Sequence, residues 1–154
     1  MSGWLGFKTP GELLAKLERE LDKLRQNPAD PDVTYNFFLT AWSLVDWFHP
    51  NDKDARERLR AANPILQVCA HLADGSKHFE LRNRRHHSVV NTMRGGNWAE
   101  RPLGLSPGER PVSATALFVH LAGEPAKRFG RFPSAVTLAE ATLEWFRAYA
   151  ATRS

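Results

Sequence analysis

VTYNFFLTAWSLVDWF, Val33–Phe48, decides the fold. Phe37, Phe38, Leu39, Trp42, Leu44, Val45, Trp47 and Phe48 make it apolar almost all round, and a helix of that kind is buried in a core or in a membrane. It is shorter than the ~20 residues a span needs and is interrupted by Asn36, Thr40, Ser43 and Asp46. The stretch is therefore predicted to be the central helix of a soluble domain, with Asp32 as its N-cap.

Working outward toward the N-terminus, the turn-rich run from Asn27 to Asp32, with Pro28 and Pro31, separates this helix from an earlier one. Thr9 caps that helix, Pro10 suits its first position and Glu12 completes a Thr-x-x-Glu capping box. Leu13, Leu14, Leu17, Leu21 and Leu24 then recur at helical spacing. On the other side, His49-Pro-Asn-Asp52 breaks the chain, and a third helical region begins at Asn51 or Asp52 and runs through Arg60. Asn63-Pro64 restarts the helix, because proline is tolerated in a first turn and not in a helix interior. From Pro64 to about Leu81, Ile65, Val68, Cys69, Leu72 and Phe79 lie on one side, and Gly75 weakens the helix by about 1 kcal/mol relative to Ala.

Farther on, Gly95-Gly96 and the Pro- and Gly-rich run Arg101–Pro111 read as a long loop. Ser113–Ala122 reads as a strand, Gly123–Pro125 as its turn and Ala126–Phe132 as its hairpin partner. Thr137 and Glu140 form a second capping box, opening a final helix with Leu138, Leu143, Trp145, Phe146 and Tyr149. The expected fold is mainly α (α+β), one domain over 1–154. A four-helix-type bundle spans 9–94 and 134–152, and a loop plus β-hairpin at 95–133 is inserted before the last helix.

Composition agrees with one compact domain: 154 residues, 42% apolar and 25% charged. The single Cys69 makes no internal bridge, and on the apolar stripe it is expected to be buried and inert. With no tripartite leader and no long apolar run, the expectation is a cytoplasmic protein without a membrane partner. Lys plus Arg exceed Asp plus Glu by 21 to 17. Lys77, Arg82, Arg84, Arg85 and Arg94 stand against Glu80 alone between Lys77 and Arg94, so that window carries +4 and the remainder is neutral overall. His78, His86 and His87 lie in it too. A phosphate-bearing partner is the natural complement.

Chemistry concentrates in the same region. On a helix from Pro64, His71, Asp74 and His78 share one face, opposite the apolar stripe. Asp74 there orients His78 for acid–base work, with Lys77 beside it. A metal would need a fourth ligand or an open water position, with Asp46 or His49 coming from another helix. The simpler reading is a solvated face, and neither metal nor cofactor is expected. The second cluster is Arg82-Asn83-Arg84-Arg85-His86-His87, where a guanidinium can grip a phosphate by two oxygens and an imidazole can move protons at neutral pH.

At Arg82, Asn83 and His87 the chain resembles the HEPN superfamily, helical-bundle proteins whose ribonuclease members carry Arg-x4-6-His, commonly with Asn after the Arg. The likeness extends over roughly Thr9–Met93. It implies a metal-independent endoribonuclease of a toxin or antiphage system, acting on RNA at a composite site across a homodimer. Arg82, His87 and His78 are then the catalytic candidates, and Asn83, Lys77, Arg84, Arg85 and Asp74 the substrate-binding ones. Asp74-Gly-Ser-Lys-His-Phe79, with Asp46-Trp47, is also similar to a group of bacterial and phage-associated helical proteins; that likeness points to Lys77, His78 and Asp46. The rival reading is a non-catalytic module that binds another protein, a regulator in a bacterial mobile element. Phe37, Phe38, Trp42, Trp47 and Phe48 are expected in the core, with Trp4 and Phe7 folded onto it. Trp98 is a candidate for stacking on a base or for a plug over the bundle.

Overall fold

The computed structural model describes residues 5–77, 89–94 and 116–153, which form six helices and a two-stranded antiparallel sheet. The mainly α architecture with a small β element is as expected. Helix α1, Pro10–Gln26, carries the predicted capping box: Glu12 N–H donates to Thr9 Oγ1 at 3.2 Å, and the Glu12 carboxylate accepts from Thr9 N–H at 3.1 Å. Leu13, Leu17, Leu21 and Leu24 are all buried, so the leucine spacing marks the core face.

Helix α2, Pro31–Phe48, starts earlier than expected. Asp30 is the N-cap, its Oδ1 accepting from the N–H groups of Asp32 at 2.8 Å and Val33 at 3.3 Å. Pro31 at the first position is the reason: its fixed φ fits a first turn and its missing N–H costs nothing there. Helix α3, Lys53–Ala62, is capped by Asp52 and runs on past Arg60 to the residue before Asn63.

Helix α4, Pro64–Lys77, departs from the one-sided pattern. Ile65, Leu66, Val68, Cys69, Ala70, His71 and Ala73 are all buried. It packs against α2, α3, the strand Val89–Arg94 (β1), the helix Gly123–Phe129 (α5) and the helix Ala135–Ala151 (α6). The centre of the molecule is thus shared by α2 and α4. His71, placed by spacing on a solvated face, is only 5% exposed because β1 covers that side of α4. The predicted continuation of this helix to Leu81 falls outside the described residues.

The sheet corrects the expected hairpin. Strand β2, Leu117–Leu121, pairs with β1, in the register Thr92 to Val119 and Met93 to Phe118, with an irregularity between Val89 and Asn91. The expected partner, 126–132, is instead mostly α5. Gly123 at φ +65° turns the chain out of the strand, Pro125 sits in the first helical turn where proline is allowed, and Gly130 at φ +84° ends the helix. Residues 131–134 then return along the free edge of β2. Val119 N–H donates to Pro133 O at 2.9 Å, Leu121 N–H to Arg131 O at 2.8 Å, and Phe118 bridges Ser134. Leu117 N–H, bonded to Pro28 O at 2.9 Å, ties the start of β2 to the α1–α2 turn.

Helix α6 is capped by Ser134, whose Oγ accepts from Thr137 N–H at 3.1 Å, so the Thr137–Glu140 box does not form. Ser134 ends the extended segment paired with β2, which fixes the helix start there, and Glu140 reaches Arg25 Nε at 3.1 Å. Phe37, Phe38 and Phe146 are buried in the core as expected, with Phe7, Trp42, Trp47 and Phe48 packed against it. The expected loop at Gly95-Gly96 and Arg101–Pro111, Trp98 and the N-terminal Trp4 all lie outside the described residues.

Candidate functional site

The basic segment leaves one element and enters another, and both are held in the core. Asp74 and Lys77 lie in the last turn of α4, while His78, Arg82, Asn83, Arg84, Arg85 and His87 lie outside the described residues. Beyond them β1 begins at the buried Val89, whose N–H donates to His71 Nδ1 at 3.4 Å. His71 thus links the helix before the motif to the strand after it.

Around the end of α4 sits a set of charged and aromatic side chains from three helices. The Arg60 guanidinium of α3 lies over the Trp42 ring of α2 with its Cζ 3.8 Å from the ring centre, a cation–π geometry. Burial lowers the Arg60 pKa from its ordinary value, while the carboxylates of Glu57, Asp46 and Asp74 pull it back up. Arg60 Nε is buried with no hydrogen-bond acceptor among the described residues. Asp46 Oδ1 also receives Arg56 Nε at 3.2 Å. Asp46 and Asp74, singled out in the sequence on separate helices, are therefore brought to one arginine. A guanidinium flanked by carboxylates and an indole holds three helices in register, and it tilts the local field against a second anion.

At the end of α2 lies a second pair that the sequence reading did not assemble. His49 Nε2 and Tyr149 Oη are 2.5 Å apart, Arg153 Nη1 donates to the same Oη at 3.4 Å, and Arg56 Nη1 donates to His49 O at 3.2 Å. Burial lowers the His49 pKa below 6.5, Arg153 pushes the same way, and Asp52 opposes them. The lowered pKa favours the neutral imidazole, which shares its hydrogen bond with the Tyr149 hydroxyl. Spacing on α2 alone could not reveal a partner on α6.

Cys69 is fully buried beside Thr142 Oγ1 at 3.4 Å, and burial pushes its thiol up to about 12, so it is no nucleophile at neutral pH. Among the described residues, no three His, Cys, Asp or Glu side chains gather as a metal site would require. Nor is any described helix long and apolar enough to cross a membrane. A cleft of about 170 Å³ opens at the inner edge of the sheet, between Tyr35 and Phe38 of α2, Leu72 of α4 and Thr92 of β1. A larger one of about 430 Å³ lies between Asn63, Ile65, Arg128, Phe129 and Trp145. The chain matches no protein-family model, no curated protein and no solved structure.

Proposed function

We propose that this is a HEPN-like, RNA-acting protein of the cytoplasm, a metal-independent endoribonuclease working as a homodimer in a toxin or antiphage system. The observation that supports this reading is the anchoring of the basic segment. The run containing Arg82, Asn83 and His87 joins α4 to β1, and the His71–Val89 bond ties those two elements together. The reaction needs only groups found in that run. The ribose 2′-hydroxyl attacks the adjacent phosphorus, the bond from phosphorus to the 5′-oxygen breaks, and a 2′,3′-cyclic phosphate and a 5′-hydroxyl result. Arg82 grips the non-bridging oxygens as they gain charge, Asn83 supports it, and His87 moves the proton from the 2′-hydroxyl toward the departing 5′-oxygen. Lys77, Arg84 and Arg85 contact flanking phosphates, with His78 and Asp74 beside them.

Incubation with a mixed RNA pool in EDTA tests the reading. Wild-type protein cleaves, His87→Ala and Arg82→Ala each lose at least about 100-fold of the rate, and His78→Ala loses less. Loss in His78→Ala with His87→Ala unimpaired moves the acid–base role to the end of α4. Cleavage retained in all three variants removes the proposal.

A further inference from the structure

We propose that the cleft bordered by α5 and α6 is a binding site for a free amino acid with an aromatic side chain. None of its lining residues belongs to the basic run, so it goes beyond the RNA reading and does not depend on it. On α6, Ala141, Glu144, Trp145 and Ala148 recur at spacings of three and four and share one face. The two alanines end at Cβ, which leaves room on either side of the indole. Ile65 and Phe129 extend the apolar lining, and the open volume of about 430 Å³ is of the size that holds a small molecule.

Trp145 is fixed in place by the protein itself. Its Nε1 donates to Asn63 Oδ1 at 3.0 Å, and Asn63 Nδ2 donates in turn to Leu59 O at 2.7 Å. Tyr149 stacks on the indole with centroids 4.9 Å apart, and Phe146 meets it edge to face at 5.0 Å; neither of these rings lines the cleft. The indole is thus a rigid wall, and a ligand that packs against it orders little of the protein.

The charges left without partners define the occupant. On α5, Glu124 and Lys127 are paired with each other at 2.7 Å. On α6, Glu140 is paired with Arg25 at 3.1 Å and Arg147 with Glu18 at 3.0 Å. Arg128 and Glu144 are the remaining charged side chains of the two helices. Both are exposed, neither has an ion pair among the described residues, and both line the cleft. A guanidinium takes a carboxylate by two oxygens, and a carboxylate takes an ammonium. One cation and one anion on an aromatic and aliphatic cleft therefore complement a zwitterion that carries a ring, with its α-carboxylate on Arg128, its α-ammonium on Glu144 and its side chain against Phe129 and Trp145. A purely anionic ligand would meet Glu144 with no cation to offer it.

The test is an NMR titration of the whole chain, read at the Trp145 indole N–H, a resonance assigned by its absence from Trp145→Phe. L-phenylalanine moves it saturably with a Kd of about 1 mM or tighter. Glycine, which has the charges without the ring, does not move it. Phenethylamine, lacking the carboxylate, and 3-phenylpropionate, lacking the ammonium, each bind about 10-fold more weakly than phenylalanine. Arg128→Gln weakens phenylalanine about 10-fold and leaves phenethylamine as it was, whereas Glu144→Gln weakens phenylalanine as much and leaves 3-phenylpropionate as it was. Ala148→Leu, at an exposed position that lines the cleft, abolishes the response to phenylalanine while the rest of the spectrum stays that of the folded protein. No saturable response to L-phenylalanine, L-tyrosine or L-tryptophan overturns the site. Equal binding of phenylalanine and 3-phenylpropionate, or an Arg128→Gln loss that is the same for phenethylamine, overturns the zwitterion as its occupant.

Discussion

His49 shows how much one side chain at a helix end can report. Tyr149 Oη accepts from Arg153 and is hydrogen-bonded to His49 Nε2. Protonating the ring adds a cation beside Arg153 and Arg56. Because burial first, and Arg153 second, lower the folded pKa below 6.5, the unfolded chain binds the proton more readily. The stability this residue confers is therefore full above about pH 7 and is lost as pH falls through 6.5 toward the folded value. The thermal midpoint should drop between about pH 7 and pH 5, and His49→Gln, which keeps an acceptor that cannot titrate, should flatten that drop. An equally steep fall in His49→Gln would assign the acid sensitivity to other groups. Arg60 on Trp42 and His49 on Tyr149 were both invisible in the sequence for one reason. Each joins residues from different helices, and helical spacing relates only neighbours on the same helix.

Among the elements, local chemistry was legible wherever a single residue could serve. Thr9-x-x-Glu12 and Asp52 cap α1 and α3 as read. At the starts of α2 and α6 the caps read from the sequence, Asp32 and Thr137, give way to Asp30 and Ser134, residues of equal or greater capping propensity a few positions earlier. Tertiary pairing chose for α6: residues 131–134 are held in extended form against β2, so the first residue free to turn is Ala135 and Ser134 is its cap. Ser134→Ala should cost about 1 kcal/mol in urea unfolding and Thr137→Ala less than half of that. A larger loss at Thr137 would mean that the read capping box forms in solution. The sheet was the least legible element. The strand Leu117–Leu121 falls inside the expected Ser113–Ala122, but its partner Val89–Arg94 stands far earlier in the sequence and was read as part of the basic run, while Pro125 was taken for a turn. Strand pairing depends on contacts distant in sequence, and a Pro in a short segment reads equally as a turn or as a first helical turn.

For the molecule as a whole, the placement of charge matters more than its total. The run from Lys77 to Arg94 carries +4 and the rest of the chain is neutral overall, so a polyanion drawn to the protein has one stretch of sequence to favour. The types of residue that make this run chemical were plain in the sequence; that His71 ties the helix before it to the strand after it was not. If the run binds single-stranded RNA by contact, the logarithm of affinity falls against the logarithm of salt concentration with a slope of about −0.7 for each phosphate neutralised. Arg84→Gln with Arg85→Gln should then make the slope shallower by about 1.4. Arg19→Gln with Lys23→Gln, two exposed cations of α1, removes the same net charge and should leave the slope where it was. Equal changes in the two double variants would show that RNA responds to the net charge of the chain and that the basic run has no privileged contact with it. A change confined to Arg84 and Arg85 would locate the released counterions on the basic run, because only cations that touch phosphates displace them.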